Sequence, residues 1–509
     1  MDKNPNITSV KKVLPVASLF FIVSAIGIFN HELWLDEAQH FLIARDSDSL
    51  KSVYYNMQYD GHVRLWNFLL FFITHYISSS PVAMQAFHLL IINATVFIFL
   101  RSAPFDMITK TLIIFGYFFL YEYDVISRNY TLGILFLFAC CALLGDLEKN
   151  ILWIGALLIL MCNTHLFYVF TAGSIFLYIF LKKFQSKNID KRLLIFSSLF
   201  LIGIFSVIIQ IKIPPDNTYF HPDQTEWNSV NNIFAAFYGF AKGFLPIPSA
   251  NHGDFWNHFL FDGLPVLVKL LIGIFLFIFS ISLFYKNKPV LIFYLSSVLM
   301  LMFFLYISQM RASRYFGIFF IFFLSAAWLD AYDRNNIFSV SFFKEKILEQ
   351  KLSFAIIYFI LVCHIFSGIY AWLTDVQRPF TEAKNVAAFI RSTRFADSTI
   401  VMDGYGAGPA LSAYLGKKVF YLNIDQLGSY CIWKKSYFEV PSKPLAVQLN
   451  ASTYIARQNN FLLVSARIED STEIHTSKYS FHLLQLASFT NSIIKPNYYV
   501  YEVTMNELK

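Results

Sequence analysis

The first residues able to do chemistry are WLDEAQHF, Trp34 to Phe41, where two adjacent carboxylates, Asp36 and Glu37, stand beside a tryptophan just after an apolar run. A carboxylate in that setting can take a proton from a hydroxyl. The same residues also suit a solvated helix start, since acids favour a helix N-terminus and Trp favours an interface. A second group is YEYDVISRNY, Tyr121 to Tyr130, with Glu122, Asp124 and Arg128 packed between two apolar runs. Asp124 and Arg128 are four apart and would share one face of a helix; the plainer reading is an ion pair capping two spans. Asn163-Thr164-His165 and Arg311 with Arg314-Tyr315 follow, again at the ends of apolar runs. A structural histidine and interfacial snorkelling of arginine are the competing readings.

The elements that must position these residues are apolar. The chain of 509 residues is 56% hydrophobic and 14% charged, against roughly 25% charged in soluble domains. Such a surface calls for lipid. Lys11-Lys12 precede the run Val13 to Phe29, which reads as an uncleaved signal-anchor. Further spans are predicted at 82–100, 107–121, 130–145, 151–164, 165–181, 193–211, 264–284, 289–307, 314–329 and 352–372. Residues 62–76 are apolar enough to span, but counting them would put the basic loop 182–192, Lys286 and Lys288 outside, against the positive-inside rule. With 62–76 lying along the outer interface, these residues face the cytoplasm together with Arg101, Lys149, Arg334, Lys344 and Lys346. The expectation is a polytopic α-helical membrane module over 1–372 with about eleven transmembrane helices, the N-terminus inside and the C-terminus outside. Its outer loops are 30–81, 122–129 and 212–262, with a short one over 309–313. The loop 212–262 carries Trp227 and Trp256 and reads either as a cover for a binding groove or as an interfacial anchor.

After Leu373 the composition becomes that of a soluble domain. A helix is predicted over Glu382–Arg394, a strand over Thr399–Met402, a helix through Tyr414 and a strand over Val419–Leu422. This rhythm gives 373–509 as an extracytoplasmic α/β domain. Gly404, Gly406 and Gly408 have the wrong spacing for a dinucleotide fingerprint and read as a turn. The five cysteines imply no disulfide framework, and no Cys/His cluster has zinc-site spacing. The net charge of +7 fits loops beside anionic lipid; nucleic acid is not an expected partner.

Acidic, basic and aromatic residues thus return in several separate outer loops, which cheap interfacial placement of charge does not explain. In order and sidedness they resemble the GT-C class of glycosyltransferases, including protein O-mannosyltransferases and the aminoarabinose transferases that modify lipid A. WLDEA looks like that class's Asp-Glu motif. GHVRLW, Gly61 to Trp66, stands where related bacterial enzymes carry His-Pro-Pro-Leu; His62 matches and both prolines are missing. SRNY, Ser127 to Tyr130, resembles the Ala-Arg-x-Tyr element, with Ile126 where the family often has Glu. Thr164-His165 and Arg314-Tyr315 recur in the family too, and the resemblance covers most of the chain.

What the resemblance implies is transfer of a hexosyl or pentosyl unit, with inversion, from a polyprenyl-phosphate donor to a lipid, glycan or protein acceptor. The place is the outer face of a membrane, a bacterial inner (plasma) membrane. The leaving phosphate is stable as an anion, so one base suffices, unlike glycoside hydrolysis. Asp36 is the candidate base. Arg128 and Arg314 are candidate phosphate partners because guanidinium forks match phosphate, with His62, Arg64 and His165 as further candidates. Glu37 with Asp124 is the candidate pair for a divalent metal. The competing classes are a lipid-linked glycan transporter or flippase, for which repeats and midplane polar groups are lacking, a polysaccharide polymerase or ligase, and a non-catalytic scaffold that kept the fold, which the missing prolines would fit.

Overall fold

The computed structural model describes residues 7–218, 230–249, 255–308, 311–333, 348–438, 444–469 and 472–508. Trp227, Gln309, Arg334, Lys344 and Lys346 lie outside the described residues. The helices are α1 (Val10–Asn30), α2 (Leu35–Arg45), α3 (Leu50–Asn56), α4 (Leu65–Tyr76), α5 (Pro81–Ser102), α6 (Met107–Ile114), α7 (Asn129–Leu143), α8 (Leu147–Cys162), α9 (Leu166–Gln185), α10 (Lys191–Gln210), α11 (Val230–Phe244), α12 (Val266–Phe284), α13 (Lys288–Ser308), α14 (Ser313–Asp333) and α15 (Leu348–Gln377). The C-terminal part adds α16 (Ala383–Ser392), α17 (Gly408–Leu415), α18 (Lys435–Phe438) and α19 (Leu445–Ala451) around a sheet.

Nine helical runs among the described residues are long and apolar enough to cross a membrane. One of them, 129–162, is a hairpin. A tight turn at Leu144–Asp146 folds it back, and Asn129 at its start donates to the Thr164 carbonyl beyond its end at 2.7 Å. The span expected over 107–121 is broken instead. Its α-helix is only eight residues and a π-helical turn follows at Phe118–Glu122. The break sits where a β-carbon on Gly116 would come 3.0 Å from the His364 side chain and where Gly368 lies against the Tyr117 backbone, so α15 packs directly on the chain. At 12 residues α4 is too short to cross a bilayer, as its reading as a non-spanning segment requires.

Two further expectations change. Residues 122–129 do not form an exposed loop: every residue from Tyr121 to Ile134 is buried. The long stretch 212–262 is not all loop either. Its helix α11 packs against α12, α13 and α14, and a β-carbon on Gly243 or Gly273 would strike a facing carbonyl, Phe316 or Phe237. Small residues at these positions let helix backbones approach.

α14 is apolar all round and is the centre of the bundle, with 89% of its most apolar window buried. The outer helices α10 and α12 are more apolar still, yet only 22% of their apolar stretch is buried. Leu201, Phe205 and Ile208 on one, and Leu267, Leu271 and Ile278 on the other, point away from the protein. A continuous apolar surface of this kind is what lipid covers.

The helix ends sort into two groups. At one end Thr8 meets Arg101 and Lys110, Lys183 pairs with Glu148 at 2.7 Å, and Lys182 with Asp333 at 2.6 Å. At the other end lie His31, Asp36, Arg128, Thr164, Arg314 and Asp375, joined by the contacts described below. The basic loops and the candidate site therefore occupy opposite ends of the bundle.

The C-terminal domain is built on a seven-stranded sheet in the order β3-β2-β1-β4-β7-β6-β5. Its strands are β1 (Val401–Asp403), β2 (Val419–Tyr421), β3 (Gln426–Gly428), β4 (Asn460–Ser465), β5 (Glu473–His475), β6 (Tyr479–Phe489) and β7 (Tyr498–Glu507). β1 runs parallel to β2 and β4, and the other pairings are antiparallel. The expected strand, helix and strand between 399 and 422 are all present. Gly404 has φ +118°, and a β-carbon on Gly408 would strike the Tyr421 ring, so both glycines serve a turn and close packing.

The domain docks on the candidate-site end. Tyr414 accepts from Leu33 N at 2.8 Å, and Thr381 donates to Leu33 O at 3.1 Å. The Gln39 amide pairs with both the N–H and the carbonyl of Cys431, at 2.9 and 2.7 Å, as a strand neighbour would. We expect Gln39→Ala to lower the melting temperature of the full chain by loosening this seam, which thermal unfolding in detergent would check.

Candidate functional site

Trp34 is extended and caps α2, and Glu37 accepts from the Trp34 N–H at 3.3 Å. This places Asp36 and Glu37 in the first turn, where the helix dipole favours negative charge. Successive residues on a helix point in different directions, so the two carboxylates have different partners.

Asp36 faces the arginines. Its Oδ2 lies 2.7 Å from Nη1 of Arg128 and 3.3 Å from Nη2 of Arg314. Burial pushes the Asp36 carboxyl up, but Arg128 and Arg314, with His40 and His62 behind them, hold it below the usual carboxylate range. Its side chain is 23% exposed while that of Arg128 is 3% exposed, so the carboxylate is the reachable member of the pair. Arg128 is placed by the extended residue at the start of α7, and Arg314 by the first turn of α14. Arg314 is boxed by aromatic faces: Tyr315 at 4.8 Å, Trp34 at 5.0 Å and Trp256 at 5.7 Å. Trp256 thus brings the long 212–262 segment to the site.

Several donors around Asp36 are buried with no hydrogen-bond partner among the described residues. They are Nε of Arg128, Nε of Arg314, Nε1 of Trp34, the Ser127 hydroxyl and the Tyr130 hydroxyl. Such groups cost free energy unless a ligand or water meets them.

Glu37 is fully buried and faces the other way. Its Oε1 accepts from Ser127 N at 2.6 Å, and its Oε2 lies 2.9 Å from Nε2 of His31. Nδ1 of His31 lies 2.8 Å from Oδ2 of Asp375, which also accepts from Tyr121 at 2.9 Å. The chain Asp375–His31–Glu37–Ser127 ties the end of α15 to the residue before Arg128. Burial alone would lower the His31 pKa, but Asp375 and Glu37 more than reverse it, to about 10. Because the folded pKa lies above the ordinary 6.5, the imidazolium's stabilisation is complete below pH 6.5 and is lost as pH rises through about 10. We expect the melting temperature of the wild type, relative to His31→Gln, to fall between pH 7 and 10; parallel curves would remove the charged His31.

The expected metal pair is partly engaged by protein groups, although Oδ2 of Asp124 is buried without a hydrogen-bond partner among the described residues. Both Glu37 oxygens are engaged, and Asp124 is hydrogen-bonded to Ser24 of α1. Burial pushes the Asp124 carboxyl well above its ordinary range, with Ser24 opposing, so a neutral acid is favoured. Nor do Asp124 and Arg128 share a helical face, because no helix forms between Tyr123 and Arg128. The absent Glu at Ile126 leaves the loop apolar there.

Arg64 also departs from expectation. Its Nε donates to Tyr54 O at 3.0 Å and its Nη1 to Gln210 O, with the guanidinium 4.1 Å from the Tyr54 ring. It fastens the start of α4 to the end of α10 and is not among Asp36's partners. His62 and His165 do reach the site, in a row of rings: His40 to His62 5.4 Å, His62 to His165 5.3 Å, and His165 to Tyr130 4.8 Å. Burial lowers the pKa of both, and Arg128 and Arg314 add to it, so they meet a ligand as neutral rings.

Sequence reading passed over His31, Asp375, His40 and Asp60. His31 and Asp375 each lie one or two residues from an apolar run, which was the available signal. Glu122 lies beside the site, accepting from Trp256 and Tyr117 at 3.1 Å each, and burial raises its pKa to about 7 against the pull of Arg314. No protein-family model matches the chain, and no sequence relative is found among curated proteins.

Proposed function

We propose that the protein is an integral membrane glycosyltransferase that moves a sugar from a polyprenyl-phosphate donor to an acceptor hydroxyl, with Asp36 as the base. The observation that carries this reading is one partly exposed carboxylate held by two arginines, each with a buried Nε that lacks a partner among the described residues. In the donor the phosphate is a diester with one negative charge; as it leaves, it becomes a monoester with two. Arg128 and Arg314 are placed to take up that growing charge. As the phosphate draws the arginines, Asp36 loses the charges that depress its pKa and becomes the better base. The acceptor oxygen then bonds to the anomeric carbon, the carbon–phosphate oxygen bond breaks, and the acceptor proton goes to Asp36. Attack opposite the leaving group inverts configuration.

The lipid-like outer surface of α10 and α12 supports placement in a membrane, where a polyprenyl tail partitions. The sorting of helix ends supports an orientation with the basic loops inside and the site outside. The charged cluster at one end of the bundle is unlike the midplane site of a transporter. Incubating the purified protein with a radiolabelled polyprenyl-phosphate sugar and membrane extract tests the reaction. Labelled product is expected, and donor translocation in vesicles without transfer would overturn the reading. For orientation, a cysteine at position 187 should react only from the cytoplasmic side and one at 478 only from outside. Labelling of 187 from outside alone would reverse the topology.

A further inference from the structure

A cluster with the side chains of a metal site lies where the spacing of Cys and His gave no zinc pattern. His40, Asp60 and His62 each offer one ligand atom, and the three atoms lie within 4.8 Å of one another. His40 lies one helical turn after Asp36 on α2, on the same face. Asp60 and His62 flank Gly61, whose φ of +69° makes the turn that brings both toward α2.

The hydrogen bonds fix the protonation pattern. Asn67 donates its amide to the His40 carbonyl at 3.1 Å, which orients the amide, and its Oδ1 lies 2.9 Å from Nδ1 of His40. Nδ1 of His40 must therefore carry the proton, leaving Nε2 with a bare lone pair. That lone pair faces Oδ2 of Asp60 at 3.6 Å, and this carboxylate oxygen is buried without a hydrogen-bond partner. Two acceptors thus face one another with no donor between them among the described residues. A cation bonded to both at about 2.1 Å would subtend an angle near 120°, within the range of zinc-type coordination.

The surroundings are those of a ligand set. Asn67 buttresses His40 through its far nitrogen, and Gln39 and Trp433 donate to the other Asp60 oxygen at 3.3 and 3.2 Å. Such outer partners orient metal ligands. His165, next in the row, accepts from Phe167 N through Nδ1 at 3.2 Å, so its Nε2 carries the proton and it stays outside the set.

We propose that His40, Asp60 and His62 bind a divalent first-row transition metal such as Zn²⁺, with a coordination position left open toward Asp36. Two imidazoles and one carboxylate select Zn²⁺, Mn²⁺, Fe²⁺ or Co²⁺ over the oxygen-loving Ca²⁺ and Mg²⁺. A role for this metal as a further cationic partner of the donor phosphate rests on the transferase reading; the binding itself does not.

The test uses the full chain in detergent, stripped with a chelator and titrated with Co²⁺, reading ligand-field absorption and, after Zn²⁺ loading, metal content. One equivalent per chain is expected. Asp60→Asn and His62→Gln should each weaken Co²⁺ binding by at least about 10-fold, on the scale known for metal-site substitutions. In the stripped protein Asp60→Asn should leave the melting temperature unchanged or higher, because the new amide can donate to Nε2 of His40. No uptake by the wild type, or uptake unchanged in both variants, would overturn the site. Uptake without sugar transfer would leave it standing and count against the transferase reading alone.

Discussion

Replacing Asp36 with Asn should lower turnover by at least about 10²-fold, the lower end of what a positioned general base contributes. Asn keeps the size and a hydrogen-bonding oxygen but cannot accept the acceptor's proton. Donor affinity should stay the same or tighten, because Asp36 competes with the phosphate for Arg128 and Arg314 through contacts of 2.7 and 3.3 Å. Arg128→Ala should show the other pattern, with weaker donor binding as well as slower turnover. The two arginines would be left without their carboxylate in Asp36→Asn, so folding must be checked on the same preparation. Turnover per folded molecule at the wild-type rate in Asp36→Asn would retire Asp36 as the base and with it the proposed reaction.

His31→Leu should be among the most destabilising single changes in the protein. It leaves Glu37 and Asp375 buried with no cation between them, and breaking a buried pair in this way costs about 3–5 kcal/mol. The loss should be partly recovered by adding Asp375→Asn, which removes one of the stranded charges; a double-mutant cycle reads the coupling directly. The same substitution should weaken donor binding, since Glu37 holds the Ser127 N–H at 2.6 Å next to Arg128. An unchanged melting temperature in His31→Leu would show that the two carboxylates are satisfied by protonation instead.

Much of the architecture was legible because it follows from local pattern. Apolar runs separated by basic loops give the long helices, and the pattern between 382 and 422 gives two helices and two strands within about two residues, while the elements after Leu422 were not read from it. Where the pattern misled, a tertiary contact had overridden it. The 107–121 run has span-like composition, but α15 packs against Gly116 and breaks the helix. The 122–129 segment reads as a loop because it is polar, yet its charges are buried against Ser24, Trp256 and Asp36.

For the site, the sequence by itself determined which residues could act as acid, base or phosphate partner: Asp36, Arg128 and Arg314 are carried in short motifs at helix starts, where residue type and local geometry restrict what they do. Only the tertiary structure decided how those residues pair. Asp36 and Arg314 lie 278 residues apart yet share an ion contact, and His31 and Asp375 are separated by 344. Asp124 and Arg128, four apart, do not pair. Likewise His40, Asp60 and His62 converge through a helix turn and a left-handed glycine that no spacing rule for metal ligands describes. The physical reason is that a local motif sets only the backbone that presents a side chain, while a buried charge must find its counter-charge wherever packing brings one within reach.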